Sequence, residues 1–143
     1  MGRRGRQVGA GLILLDTHVL LWYREGSHRL GPRAREALDA AVMDGEAAIS
    51  AITFWELALL VGKGRIDLPS DVQAWRRLNV SQGLAEIPVD GEIGARAATL
   101  EGLSGDPADR FIVATAMEGH RLVTADRRIL AWHGPVQRLD AAR

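Results

Sequence analysis

The chain has 143 residues, 47% hydrophobic and 25% charged, with a formal net charge of 0 and no cysteine. Its length supports one domain with its own core, and the missing cysteine excludes disulfides and thiolate metal sites. Arg3, Arg4 and Arg6 supply three of the 18 basic residues, so residues 12–143 carry 15 basic against 18 acidic groups, a net of −3. That excludes the broad positive field of a protein that grips nucleic acid over a large surface, but not an enzyme that meets a phosphodiester at one metal-lined cleft, where the ion supplies the positive charge.

The first eleven residues, MGRRGRQVGAG, are basic and glycine-rich, and are expected to form a flexible tail ahead of a single domain over 12–143. The apolar run that follows, Leu12 to Leu15, ends at Asp16. It falls short of the roughly 7 to 15 apolar residues of a signal peptide, and no run approaches the ~20 of a membrane span. A cytoplasmic chain with no membrane partner is expected.

Leu12–Leu15 is the first strand, apolar throughout as in a strand buried on both faces of a parallel sheet. Asp16-Thr17-His18 follows, and Val19 to Arg24 reads as a short helix. Gly31-Pro32 opens a helix with Ala34, Ala37, Leu38, Ala41 and Val42 at helical spacing, running to Gly45. Ala47-Ala48-Ile49 is a second strand. Ser50 is then an N-cap for a helix from Ala51 to about Val61, closed by Gly62 and Gly64. Pro69-Ser70-Asp71 starts a helix through Trp75 and Leu78 that ends near Gly83. Glu86 to Val89 is a third strand, Gly91 to Leu103 an Ala-rich helix, and Val136 to Leu139 a last edge strand. Strands alternating with helices predict an α/β fold with a mainly parallel sheet of four to five strands between helical layers.

The segment between, GDPADRFIVATAMEGHRLVTAD at 105–126, organises the rest. Asp106-Pro107 is a strong helix start, the helix stops at Gly119, Arg121 to Ala125 is a strand, and Asp126 stands just past it. In such folds ligands bind beyond the carboxyl ends of the strands. Asp16, Glu56, Asp109 and Asp126 can all reach that edge, and acids gathered there point to a metal site. Each also has a plainer role. Asp16 and Asp126 would equally serve as helix caps. Glu56 is the one polar side chain in FWELALLV, a helix so apolar that burial between layers is expected; a carboxylate there needs a metal or an arginine partner. Asp106 is assigned mainly to capping, with Asp109 three residues on at a position that can complete a capping box. The helix N-terminus favours the ionised form of Asp109. Thr17, Ser50 and Thr124 are supporting candidates that would orient ligands or waters, although hydroxyls at helix starts are common.

The four histidines, His18, His28, His120 and His133, show no metal-ligand spacing, and His120 is assigned to capping the helix before it. Trp22, Trp55, Trp75 and Trp132 lie in apolar helical patterns and read as packing residues. Lys63 and Arg65 in VGKGRI lack the spacing of a phosphate loop and are phosphate contacts of low specificity.

Taken as an ordered set, LILLDTHVLLW at 12–22, AAISAITFWELALLVGKGRIDLP at 47–69 and GDPADRFIVATAMEGHRLVTAD at 105–126 resemble the PIN-domain ribonucleases, and within them the VapC toxins of bacterial toxin–antitoxin pairs. The resemblance covers most of the chain from Leu12 on; the basic tail before it does not fit the family, and no function is assigned to it. It implies a three-layer α/β/α PIN-like domain with an acidic quartet at Asp16, Glu56, Asp109 and Asp126, and Asp106 matching an often-acidic neighbour. The same set, without Cys or His, suits Mg²⁺ or Mn²⁺. The implied activity is metal-dependent endonucleolytic cleavage of RNA by an activated water, leaving a 5′-phosphate and a 3′-hydroxyl. The implied partners are a cognate VapB-type antitoxin, docking near the cleft, and a second copy of the chain, giving a homodimer and a heterotetramer or larger assembly.

Three rival readings remain, the last of which shares the acidic logic. A haloacid-dehalogenase-type phosphatase needs a second Asp two residues after the first, where this chain has His18. A non-catalytic PIN-fold interaction module would be expected to lose some of the acids. A DNA-directed flap nuclease would be longer and carry further DNA-gripping segments.

Overall fold

A computed structural model of the chain describes residues 11–105 and 107–143. The expected tail, Gly11 apart, and the Asp106 cap lie outside the described residues. The strands are β1 (Ile13–Leu15), β2 (Ala47–Ser50), β3 (Ala85–Ile87), β4 (Arg121–Thr124) and β5 (Gln137–Asp140). They form one sheet in the order β3-β2-β1-β4-β5, and every neighbouring pair is parallel. The helices are α1 (Thr17–Glu25), α2 (Pro32–Met43), α3 (Ile52–Gly62), α4 (Val72–Ser81), α5 (Gly91–Ala98), α6 (Pro107–Ala116) and α7 (Arg127–Leu130).

Alternation along the strands divides the core in two. Leu15, Ala47, Ile49 and Val123 pack with Leu20, Leu38, Leu57 and Trp75 on one face. Leu14, Ala48 and Leu122 pack with Ile93, Ile112, Ile129 and Trp132 on the other. Helices α1 to α4 therefore cover one face and α5 to α7 the other, the expected three layers. The chain winds outward from β1 through β2 to β3, then returns to lay β4 on the opposite side of β1. The direction of winding reverses between β1 and β4. The register Leu15↔Val123 brings the carboxyl ends of these two strands side by side there, which is where ligands bind in sheets of this kind.

Several expectations need correcting. The helix expected from Gly91 to Leu103 stops at Ala98. Thr99 Oγ1 donates to the Ala95 carbonyl at 3.2 Å, Gly102 takes φ +76°, and the guanidinium of Arg110 draws in the carbonyls of Ala97, Leu100 and Leu103. Those carbonyls are satisfied without a further helical turn. Ser50 belongs to β2, and the residue flanking α3 is Ala51 with helical backbone angles. The Ser50 hydroxyl still accepts the Ile52 N–H at 3.1 Å, so it serves the helix start from one position further back. Helix α3 is not enclosed between layers: Thr53, Phe54 and Leu57 are buried, whereas Trp55, Leu59 and Val61 are 47, 41 and 38% exposed. Composition reports how apolar a helix is, not how many neighbours cover it. His120 does not cap α6 with its side chain; it is buried, and its Nδ1 accepts the Leu12 N–H at 3.2 Å, fixing the start of β1.

Candidate metal centre

The site begins where β1 ends. Asp16 is the N-cap of α1, with Oδ1 accepting the Thr17 N–H at 2.8 Å. Its other oxygen, Oδ2, accepts the hydroxyl of Thr124 at 2.7 Å. That hydroxyl in turn accepts the Asp126 N–H at 3.1 Å, and Asp126 caps α7 by accepting the Arg128 N–H at 2.9 Å. The capping roles are thus real for both Asp16 and Asp126, and they orient each carboxylate toward the same edge. Asp16 is 7% exposed. Burial pushes its carboxyl above the ordinary value; the hydrogen bonds from Thr124 and Thr17 work against this, and the nearby Asp126 charge adds to it. For Asp126 burial also acts upward, but hydrogen bonds from the Arg128 side chain and backbone, with its charge, prevail and hold the carboxyl below its ordinary value.

Two further acids arrive from the helices. Thr17 Oγ1 and Thr53 Oγ1 are 3.1 Å apart and hydrogen-bonded, tying the first turn of α1 to α3. Glu56 lies three residues beyond Thr53, on the same side of α3. Asp109 sits in the first turn of α6, where the helix dipole favours a carboxylate. Arg128 Nη2 bridges the two acids on this side, 3.4 Å from Asp109 Oδ2 and 3.0 Å from Asp126 Oδ2.

All four acids line one cleft of about 310 Å³, together with His18, Trp22, Ala125 and Arg128. Thr17 and Thr124 stand behind its wall, completely buried and bonded to Asp16. Ser50 is buried and not part of the lining. His18 and Trp22 were not singled out for this role, yet their i, i+4 spacing on a helix that opens with Asp16 places them on one face. Arg128 is the second of two arginines after Asp126, and nothing in the local pattern distinguishes it from Arg127.

The donor set fits a hard divalent cation. It is built from carboxylate oxygens, and a positive charge, the Arg128 guanidinium, already lies among them. Among the described residues, no three Asp, Glu or His side chains stand close enough to enclose an ion as they are placed. Mg²⁺ commonly makes do with one or two carboxylates and keeps several waters, so Asp16 and Asp109 would hold it, with Glu56 and Asp126 reaching its waters.

A three-layer α/β domain with four carboxylates in one cleft at the reversal of its parallel sheet defines a narrow class. A family model for the PIN domain matches residues 13–132, and the chain belongs to the PIN-domain family. It is 38% identical over 124 residues to Ribonuclease VapC22 of Mycobacterium tuberculosis, covering 86% of this chain and 93% of that protein. Its fold is similar to a DNA-bound VapBC structure from Salmonella typhimurium, with a TM-score of 0.65, 20% identity and coverage of 91% of this chain and 98% of that one. It is likewise similar to a DNA-bound VapBC2 from Rickettsia felis, with a TM-score of 0.63, 18% identity and coverage of 90% and 99%. No helix among the described residues is long and apolar enough to cross a membrane.

Proposed function

We propose that the chain is a Mg²⁺- or Mn²⁺-dependent endoribonuclease, the toxin of a VapBC-type toxin–antitoxin pair. The observation that carries the reading is the meeting of four acids, from the ends of two strands and from two helices, in one cleft of a PIN domain. The identity with a ribonuclease over most of both chains supports RNA as the substrate.

When bound, the ion would make water a stronger nucleophile and offset charge on the scissile phosphate. The chain's own residues do the rest. Asp16, held at both oxygens by Thr17 and Thr124, keeps a fixed aim on the cleft. Asp109 faces it from the positive end of α6. Glu56 and Asp126 position the attacking water, and one of them takes its proton as the oxygen bonds to phosphorus. The P–O3′ bond breaks, leaving a 5′-phosphate and, after protonation from solvent, a 3′-hydroxyl.

A VapB-type antitoxin is the expected partner, supported by the VapBC assemblies whose fold the chain shares. The apolar outer face of α3, with Trp55 and Leu59 exposed next to Glu56, supplies surface for it. The chain is expected to pair with a second copy.

The decisive experiment is cleavage of total RNA with and without Mg²⁺ or Mn²⁺, comparing wild type with Asp109→Asn. Discrete metal-dependent fragments that vanish in the variant bear the proposal out. Metal binding without cleavage by the wild type demotes the chain to an interaction module, and metal-independent cleavage refutes the mechanism.

A further inference from the structure

We infer that Arg128 is a built-in counter-cation of the metal site, one that neutralises Asp109 and Asp126 in the metal-free protein and competes with the divalent ion for their oxygens. The inference rests on the metal-dependent reading above and adds to it a residue with a specific task.

Arg128 engages three carboxylate oxygens of the cleft. Its Nη2 lies 3.0 Å from Asp126 Oδ2 and 3.4 Å from Asp109 Oδ2, and its Nε donates to Asp126 Oδ1 at 3.3 Å. Its backbone N–H holds that same Oδ1 at 2.9 Å. Two carboxylates brought together on the edge of a sheet repel each other unless a cation intervenes, and a guanidinium is charged at every relevant pH. The planar fork can satisfy both acids at once. The surrounding backbone makes room for it. Gly105 has φ +151°, and a Cβ there would lie 3.3 Å from Asp109 Oδ2 and 3.5 Å from Arg128 Nη1. The pair therefore lies against a single residue that carries no side chain.

The arrangement is also reversible. The Arg128 side chain is 54% exposed, whereas those of Asp109 and Asp126 are 13 and 22% exposed. The arginine can swing toward solvent without repacking the core, while the acids stay in place. Binding of an ion would thus displace the guanidinium from oxygens it cannot share, and removal of the ion would let it return. Arg127, one residue earlier, has the same charge but a different partner: its Nη1 lies 3.5 Å from Asp140 Oδ2, and its side chain is 81% exposed. It is the natural control for charge without contact.

The test is calorimetric titration of the full chain with Mn²⁺, comparing wild type, Arg128→Gln and Arg127→Gln, with thermal unfolding of each in EDTA and in saturating Mn²⁺. Removing a half-exposed competitor should tighten Mn²⁺ binding about two- to fivefold in Arg128→Gln and leave Arg127→Gln at the wild-type value. In EDTA the Arg128→Gln protein should melt below the wild type, and saturating Mn²⁺ should close the gap, because the ion then neutralises the acids in both. Equal affinity of wild type and Arg128→Gln, or equal tightening in the two variants, overturns the inference; the second result would mean diffuse charge rather than competition. Absence of Mn²⁺ binding in all three proteins overturns instead the metal-dependent reading on which it rests.

Discussion

The hydroxyl of Thr124 donates to Asp16 Oδ2 at 2.7 Å across 108 residues of sequence, and it accepts the Asp126 N–H at 3.1 Å. One buried oxygen atom thereby ties the acid that ends β1 to the acid that follows β4. The tie exists because β4 lies beside β1 in parallel register, a consequence of the reversal in winding order. The same topology that defines the cleft also sets the relative placement of its carboxylates.

Replacing Thr124 by Val should therefore cost both stability and activity. Stability should fall by about 1–2 kcal/mol, the usual result of leaving buried hydrogen-bonding groups unmatched, and the cleavage rate by about tenfold or more as Asp16 loses its fixed orientation. Thr124→Ser, which keeps the hydroxyl, should recover most of the activity. Urea unfolding and initial cleavage rates on one RNA substrate check both; wild-type cleavage by the Val variant, which keeps the methyl and lacks the hydroxyl, would show that the hydrogen bond to Asp16 does not orient the carboxylate.

Asp16→Asn separates the needs of the fold from those of the site. Burial raises the Asp16 carboxyl above its ordinary value, so ionised Asp16 is held in the folded protein at a cost. The amide should relieve that cost and raise Tm in EDTA by a few degrees, while cleavage falls at least about a hundredfold. A variant that keeps wild-type cleavage would remove Asp16 from the site.

His120 links acidity to the integrity of β1. Burial lowers its pKa from the ordinary 6.5, with the charge of Glu118 acting in the other direction. The neutral ring is needed because Nδ1 accepts the Leu12 N–H. The unfolded chain binds this proton more readily, so His120's contribution is fully present above about pH 6.5 and is lost as pH falls below it. His120→Asn, which can still offer an acceptor, should flatten stability below pH 6.5 when unfolding is followed by urea titration. An unchanged pH profile would show that other groups govern this range.

Asp16 and Asp126 were legible because each directly follows an apolar strand, and Asp109 because Asp-Pro marks a helix start three residues earlier. Local pattern sufficed for these. The end of α5 was not legible, since an arginine from α6 sets it. The exposed face of α3 was hidden for a related reason: nothing in FWELALLV records which neighbours the fold supplies. Glu56 lines the cleft although the expected burial of its helix was not borne out. The bridging role of Arg128 depends on Asp109 being brought to Asp126 in space, and no spacing rule encodes that.

Arg110 tests whether every charged residue next to Asp109 belongs to the cleft. It directly follows Asp109, yet it is turned away from the acids. Its Nε donates to the Ala97 carbonyl at 2.9 Å, its Nη2 to that of Leu100 at 2.9 Å, and its Nη1 to that of Leu103. One guanidinium thus closes the C-terminal end of α5, where a cation is favoured, and folds the 99–105 segment back toward α6. Arg110→Ala should lower stability by about 3 kcal/mol through the loss of several charged hydrogen bonds. Arg110→Lys should recover less than half, because a single ammonium cannot reproduce the fork. Amide exchange should accelerate across 99–105 before it does in the strands. Activity should fall through displacement of Asp109, with RNA affinity in EDTA little changed. If Arg110→Ala stays within about 0.5 kcal/mol of wild type and loses RNA binding instead, the arginine is a substrate contact and the structural assignment fails.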